Sequence, residues 1–318
     1  MLEVSMDSCS CPRIRSNFID KTLILHDCSN IEKFVINLKC FPTVDQFPNF
    51  DLWIRFAVTK DVKELIVDFN DYDDELPQFI FNNCSLVKLK LCTSNFMPIG
   101  QVNWESVKSL RLSNCPVDDG KIKNVSSGSP LLEYLELRSC FMFQRLVIAS
   151  KSLKTIILDG VGGGCIVIEI SCPSLKRLRI SGLMWFTSLK LMNLPSSLHA
   201  TFDFYFDLEE LEDLEELEDE MSNDDCINLV RQTLWQVQHV DKLEIGHWLM
   251  QSLSSSEDVD CISDLPDSVI HWIVSFLPLT KEHLRVTFIR CGGVNGPMSQ
   301  SSTLFPTRNL LLTPKISL

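Results

Sequence analysis

Nowhere in the 318 residues does an uninterrupted apolar run reach the roughly 18 residues that a membrane helix needs, and the opening MLEVSMDSCSCPRIR has no apolar signal core. The expectation is a cytoplasmic or nuclear chain with no membrane partner. Glycine-rich phosphate loops are missing too: Gly160, Gly162, Gly163 and Gly164 cluster, but strand-like CIVIEI follows, with no Lys-Ser/Thr pair. The cluster reads as a repeat turn. None of His26, His199, His239, His247, His271 and His283 stands in a recognisable nucleophile motif. Cys9 and Cys11 form the only close cysteine pair, with no second pair and no histidine at metal spacing beside them. The sequence therefore predicts no enzyme: no catalytic residue, no metal and no cofactor. Basic residues are absent from Asp203 to Asp225, which carries thirteen acids; the remainder of the chain is neutral, 29 basic against 29 acidic residues. Composition thus supplies no basic face, and no nucleic-acid partner is expected.

What the chain does contain is enough apolar residue, 45%, beside 22% charged, to bury a substantial core. Its thirteen cysteines are scattered and mostly sit beside strand positions, which suits reduced, buried thiols better than a disulfide framework. One phrase recurs throughout, L-x-x-L-x-L: Val107, Leu110 and Leu112; Leu132, Leu135 and Leu137; Leu175, Leu178 and Ile180. Looser copies are IEKFVI (Ile31), VKELIV (Val62), LVKLKL (Leu86) and VDKLEI (Val240), and starts at 62, 86, 107, 132, 153 and 175 lie 24, 21, 25, 21 and 22 residues apart. Both the phrase and the spacing are those of leucine-rich repeats. The motif's turn-capping Asn or Cys stands at Asn70, Cys115 and Cys140, replaced by Ser94, Val161 and Leu183 elsewhere.

Within each phrase the last two aliphatics alternate with one polar residue, so a strand buries one face and offers the other. The outward residues Lys88, Lys90, Arg111, Glu136 and Arg179 are the candidate target-binding face. A second set of strand-like stretches, FQRLVI, CIVIEI and FTSLKL, falls at half period, while DDGKIKNVSSG reads as a short helix. The predicted fold is an α/β leucine-rich-repeat solenoid, with parallel strands on one face and short strands or helices on the other. Domain expectations are a structureless 1–16, repeats over 17–250, a linker at 251–259, a helical segment at 260–291 and a disordered tail at 292–318. An acidic insertion at 207–225 reads as a solvated loop or frayed helix, or alternatively a docking segment for a basic partner. After it CINLVRQTLWQVQHV reads as an amphipathic helix with Ile227, Val230, Leu234 and Val237 on one face.

FIDKTLILHDCSNIEKFVI, WIRFAVTKDVKELIVDF, ELPQFIFNNCSLVKLKL, SGSPLLEYLELRSC and VQHVDKLEIGHW closely resemble the repeat domain of plant F-box/leucine-rich-repeat proteins of the FBD class. In that family an F-box precedes the repeats, and with about sixteen residues before them here, the expectation is that this F-box is absent. DCISDLPDSVIHWIVSFLPLTKE at 260–282 resembles the family's opening F-box helix instead. LTKEHLRVTFIRC then resembles the second helix, and the basic, tryptophan-containing segment that should follow is missing. The resemblance implies that Leu265, Pro266, Val269, Ile270, Ile273, Phe276, Leu277 and Pro278 bind a Skp-type adaptor and, through it, a cullin ligase core. It implies a substrate-recognition subunit of an SCF-type ubiquitin ligase whose protein target is unknown. The plainer reading of the same segment is a terminal helix that caps the last repeat. The alternative function is a standalone repeat module that binds protein, from a truncated or chimeric gene model with no ligase role.

Overall fold

The repeat phrase dictates one strand per copy, and the strands stack into a single parallel sheet. The structure, a computed structural model, describes residues 1–6, 12–26, 31–38, 50–69, 76–162, 166–183, 186–205, 223–237, 239–246 and 285–289. Its main sheet has eleven strands, with β1 at Leu2–Met6, β2 at Lys33–Leu38, β3 at Glu64–Phe69, β4 at Lys88–Thr93, β5 at Ser109–Ser113 and β6 at Tyr134–Arg138. It continues with β8 (Thr155–Asp159), β10 (Arg177–Leu183), β12 (His199–Tyr205), β13 (Lys242–Gly246) and β14 (Arg285–Ile289). The omitted numbers belong to the second sheet: β7 (Arg145–Ala149), β9 (Ile166–Ser171) and β11 (Phe186–Met192), ordered β11-β9-β7 and also parallel.

Register turns the phrase into a core. Leu89, Leu110, Leu135, Ile156 and Leu178 lie side by side across five strands, and Leu91, Leu112, Leu137, Leu158 and Ile180 form a second ladder beside them. All ten are at most 2% exposed. Each contributes roughly 1.5–3 kcal/mol, but only when the neighbouring repeats cover it.

The opposite wall changes character along the chain. Early repeats close with helices α1 (Pro12–Leu25) and α2 (Phe50–Thr59), then a 3-10 turn at Gln78–Asn82, and α3 (Asp119–Gly128). Helix α3 starts where expected because Asp118 caps it, accepting the Lys121 N–H at 2.8 Å. Later repeats use β7, β9 and β11 instead, the half-period strands predicted from their β-branched residues. Helix α4 (Asn223–Gln236) then buries Val230 and Leu234, and Val237 is buried just past its end. Indoles fill the wider helical repeats: Trp53 and Trp104 are fully buried, and each donates its N–H, to Asp20 at 2.7 Å and to the Ile80 carbonyl at 2.8 Å.

Side chains close both edges of the small sheet. Asp119 accepts the Arg145 N–H at 2.9 Å at the β7 edge. At the β11 edge the Gln236 amide copies a strand, accepting from Leu191 N–H at 2.6 Å and donating to the Leu189 carbonyl at 2.8 Å. An exposed edge would otherwise offer those groups to another chain.

After the central strands the backbone turns inward through left-handed residues, Asn114 (φ 53°), Ser139 (φ 48°) and Gly160 (φ 58°). Their N–H groups donate to the neighbouring repeat's Arg138, Asp159 and Ser181 carbonyls at 2.9, 2.8 and 2.8 Å. This turn drops Cys115, Cys140 and Val161 into the core, fully buried, which explains the motif's capping position.

Three expectations need correction. Of residues 1–16, expected to be structureless, the described parts 1–6 and 12–16 are ordered: the alternating Leu2 and Val4 pair with Phe34 and Ile36 as β1, and α1 begins at Pro12. The repeats do not end at 250: β14 pairs with β13 in register, Leu243 opposite Val286. Expected as part of a helical segment at 260–291, Arg285–Ile289 is a strand, as suits a run of β-branched and aromatic residues, RVTFI. Residues 251–259, 260–284, 292–318, Cys9, Cys11 and the acidic stretch 207–222 lie outside the described residues.

Candidate functional site

Because strand side chains alternate, the face of the main sheet away from the core presents three outward rows. The middle row runs Lys90, Arg111, Glu136, Ile157, Arg179 and Thr201 on β4, β5, β6, β8, β10 and β12. On one side of it lie Lys88, Ser109, Tyr134, Thr155, Arg177 and His199, and on the other Cys92, Ser113, Arg138, Asp159, Ser181 and Asp203. The five candidates Lys88, Lys90, Arg111, Glu136 and Arg179 therefore share one face, as alternation requires.

They are not equally available. Lys88, Arg111 and Arg179 are exposed, Lys90 is half-buried, and Glu136 is only 8% exposed. Glu136 faces outward yet is covered by its neighbours. Its Oε2 accepts from the Tyr134 hydroxyl at 2.6 Å and lies 3.2 Å from Arg111 Nε, while Oε1 lies 3.0 Å from Arg138 Nη2. The Arg111 guanidinium also stacks over the Tyr134 ring, 5.0 Å from its centroid. Burial and the bond to Glu136 raise the Tyr134 hydroxyl above its ordinary pKa, so Tyr134 acts as a donor.

The network crosses four strands. Arg138 Nε lies 3.4 Å from Asp159 Oδ2, Ser181 donates to Asp159 Oδ1 at 3.1 Å, and Arg179 Nε donates to Ser181 Oγ at 3.3 Å. A second group sits toward the C-terminal end of the sheet. Glu244 meets Lys242, His199 at 3.0 Å and the Thr201 hydroxyl at 3.1 Å. Burial raises the Glu244 pKa, and Lys242, His199 and Thr201 overcome it, leaving the carboxyl below its ordinary value.

Tyr134, Arg138 and Arg177 were not singled out from sequence, although they stand in phase with the residues that were. The signal was present: each lies an even number of places from an outward residue on its own strand. Leu265, Pro266, Val269, Ile270, Ile273, Phe276, Leu277 and Pro278 lie outside the described residues. Among the described residues no group of three or more His, Cys, Asp or Glu side chains is placed to hold a metal ion, and no helix is long and apolar enough to cross a membrane. What the face offers is fixed charge, hydrogen-bond donors and a few apolar positions on a rigid sheet, an arrangement suited to binding.

Comparison with known proteins bears directly on that arrangement. Residues 50–198 match the family model described as "FBD-associated F-box protein At5g56370, LRR repeats". The chain is 30% identical over 257 residues to F-box protein At5g03100 of Arabidopsis thaliana, covering 78% of this chain and 77% of that protein. The chain belongs to the plant FBD-associated F-box/leucine-rich-repeat family. F-box/LRR-repeat protein At5g02910 of the same organism is 30% identical across 78% of this chain and 52% of its own length. Putative F-box protein At1g49610, also of Arabidopsis thaliana, is 28% identical across 80% and 62%. The chain thus spans only about half to two thirds of the latter two relatives. No solved structure matches it significantly. The matched repeats include β3, β4, β5, β6, β8 and β10, the strands that build the outward network, so the family likeness and the candidate face coincide.

Proposed function

We propose that this F-box/leucine-rich-repeat family member is the substrate-recognition subunit of an SCF-type cullin ubiquitin ligase. The repeats hold a protein target against the outward rows, and the segment at 260–284 docks a Skp-type adaptor that brings the cullin core. The observation that carries this reading is the rigid, network-bearing open face, found on a chain whose relatives are named F-box proteins. The role is that of a scaffold, which needs no catalytic residue of its own.

A second reading rests on β14. Since Arg285–Ile289 extends the main sheet, the C-terminal segment also suits completion of the solenoid, which leaves a standalone module that binds protein. Co-expression of the full chain with a plant Skp-type adaptor separates the two. Co-purification that disappears on Leu265→Ala with Pro266→Ala supports the ligase subunit. Failure of the intact, folded chain to retain any adaptor rules it out.

A further inference from the structure

The charge of the open face is not the charge of the chain. Overall the protein carries a formal −13. From β4 to β10, however, the outward rows hold Lys88, Lys90, Arg111, Arg138, Arg177 and Arg179 against the two carboxylates of Glu136 and Asp159. Both carboxylates are engaged within the face: Glu136 by Arg111, Arg138 and Tyr134, and Asp159 by Arg138 and Ser181. The basic excess is left in two lobes. One is Lys88 and Lys90 on β4 with Arg111 beside them, where Lys88 reaches only the margin of Glu64 at 3.9 Å. The other is Arg177 and Arg179 on β10, both exposed. Between them the neutral side chains Tyr134, Thr155 and Ile157 form a middle strip, with Ile157 half-buried in register between Glu136 and Arg179.

We infer that this strip binds an extended acidic peptide of the target, with one carboxylate-bearing cluster in each basic lobe and an apolar side chain over Ile157 between them. The inference rests on the reading of the repeats as the part that holds the target, and it names the chemistry of what they hold. The dimensions fit. Four strand steps separate β4 from β10, about 19 Å at roughly 4.8 Å per step, which an extended peptide spans in about six residues at roughly 3.3 Å each. Charge selects the class of partner. A nucleic acid presents a continuous line of phosphates, which the chain's net negative charge and the flanking Asp68 and Asp203 repel. Discrete acids separated by an apolar residue meet the two lobes and the strip without crossing those flanks. Steering by such a patch is strongest at low salt, because the screening length is about 8 Å at physiological ionic strength.

The test uses the full chain and a fluorescein-labelled ten-residue peptide in which two Asp-Glu pairs flank a four-residue spacer containing leucine, followed by fluorescence anisotropy. Saturable binding that weakens as salt rises is expected, with loss of binding when the acids become lysines and weaker binding when they are made adjacent. Lys90→Gln with Arg179→Gln should weaken it roughly 2- to 30-fold, the range for two solvent-accessible charge pairs. Should that variant fail to fold by circular dichroism, Lys88→Gln with Arg177→Gln carries the same expectation. No saturable binding, or affinity unchanged in a folded double variant, overturns the inference. Tighter binding of a single-stranded oligonucleotide than of the peptide overturns it in favour of nucleic acid. Adaptor capture is scored on the same preparations. Peptide binding lost from the intact chain while capture persists overturns only this inference, whereas capture lost while the peptide binds overturns only the ligase reading.

Discussion

Replacing Leu135 with alanine should distinguish the two faces of β6 most sharply. Leu135 is 1% exposed and lies in register between Leu110 and Ile156, each itself fully buried, so the removed atoms leave a cavity whose walls belong to three repeats. Leucine-to-alanine changes at such sites cost about 2–5 kcal/mol, the upper part of the range applying where the surroundings cannot collapse. Strands held on both sides by parallel pairing have little room to do so. For a folded unit of about 150–250 residues 1 kcal/mol lowers the thermal midpoint by about 2–4 °C, so Leu135→Ala should lower it by about 4–20 °C. Leu135→Asp places a carboxylate in the same apolar position and should abolish the transition of the central repeats. Glu136→Gln, one residue away but outward, keeps the shape and one of the two acceptor oxygens, replacing either the Oε2 that Tyr134 and Arg111 use or the Oε1 that Arg138 uses, and should cost about 1–3 kcal/mol. Thermal unfolding followed by far-ultraviolet circular dichroism on the three variants is the assay. An unchanged transition in Leu135→Ala, or a larger loss in Glu136→Gln than in Leu135→Ala, would refute the inward assignment of the leucine phrase.

Gly182→Ala should be costly where Gly100→Ala is mild. Both glycines have positive φ, +81° and +86°, but a Cβ at 182 would sit 2.8 Å from Asp159 Oδ1 and 2.9 Å from the Gly160 nitrogen, whereas one at 100 meets nothing within 4 Å. Backbone strain alone costs about 1–2 kcal/mol, so the excess at 182 in a chemical-denaturation comparison measures that close approach. Gln236→Ala should expose the β11 edge, speeding hydrogen exchange at the Leu191 amide by roughly tenfold with little change on β5; equal protection in both proteins would show that the side chain does not cap the edge. Stability should also fall in acid. The Arg145 and Lys190 pairs hold the Glu169 carboxyl below 4.5, and Glu244 is likewise depressed, so their contributions are complete above that value and disappear as pH falls through the lower folded-state values. A thermal midpoint independent of pH between 5 and 3 would contradict this.

Much of the architecture was legible because leucine-rich repeats write their geometry into spacing: one phrase, one strand, about 22 residues apart. The half-period strands were readable from their β-branched and aromatic content and DDGKIKNVSSG as a short helix, whose capping by Asp118 the structure shows. Strand β12 was not, because Ala200 stands where the phrase wants a leucine and the buried Leu198 comes one residue closer to the strand than Leu175 does before β10. Strand β1 hid behind a cysteine- and serine-rich start, although Leu2 and Val4 alternate correctly. Arg285–Ile289 was misread because resemblance to a helix outweighed its own strand-forming residues. On the open face, alternation predicted direction but not cover. Glu136 points outward like Arg111, and only the structure shows that Arg111, Arg138 and Tyr134 close over it. That pairing leaves a mixed-sign face with two basic lobes, on β4 and β10, flanking a neutral strip.

Recognition by the outward rows and recruitment by the segment at 260–284 are separable in this account, and proximity labelling in plant cells tests that separation directly. A biotin ligase fused to the chain would be compared across three forms: unsubstituted, Leu265→Ala with Pro266→Ala, and Lys90→Gln with Arg179→Gln. The account predicts that the first double variant loses the Skp-type adaptor and cullin while keeping the remaining labelled proteins, and that the second keeps the adaptor and loses proteins bearing acidic segments. Loss of both sets together in either folded variant, or of neither in both, would contradict it.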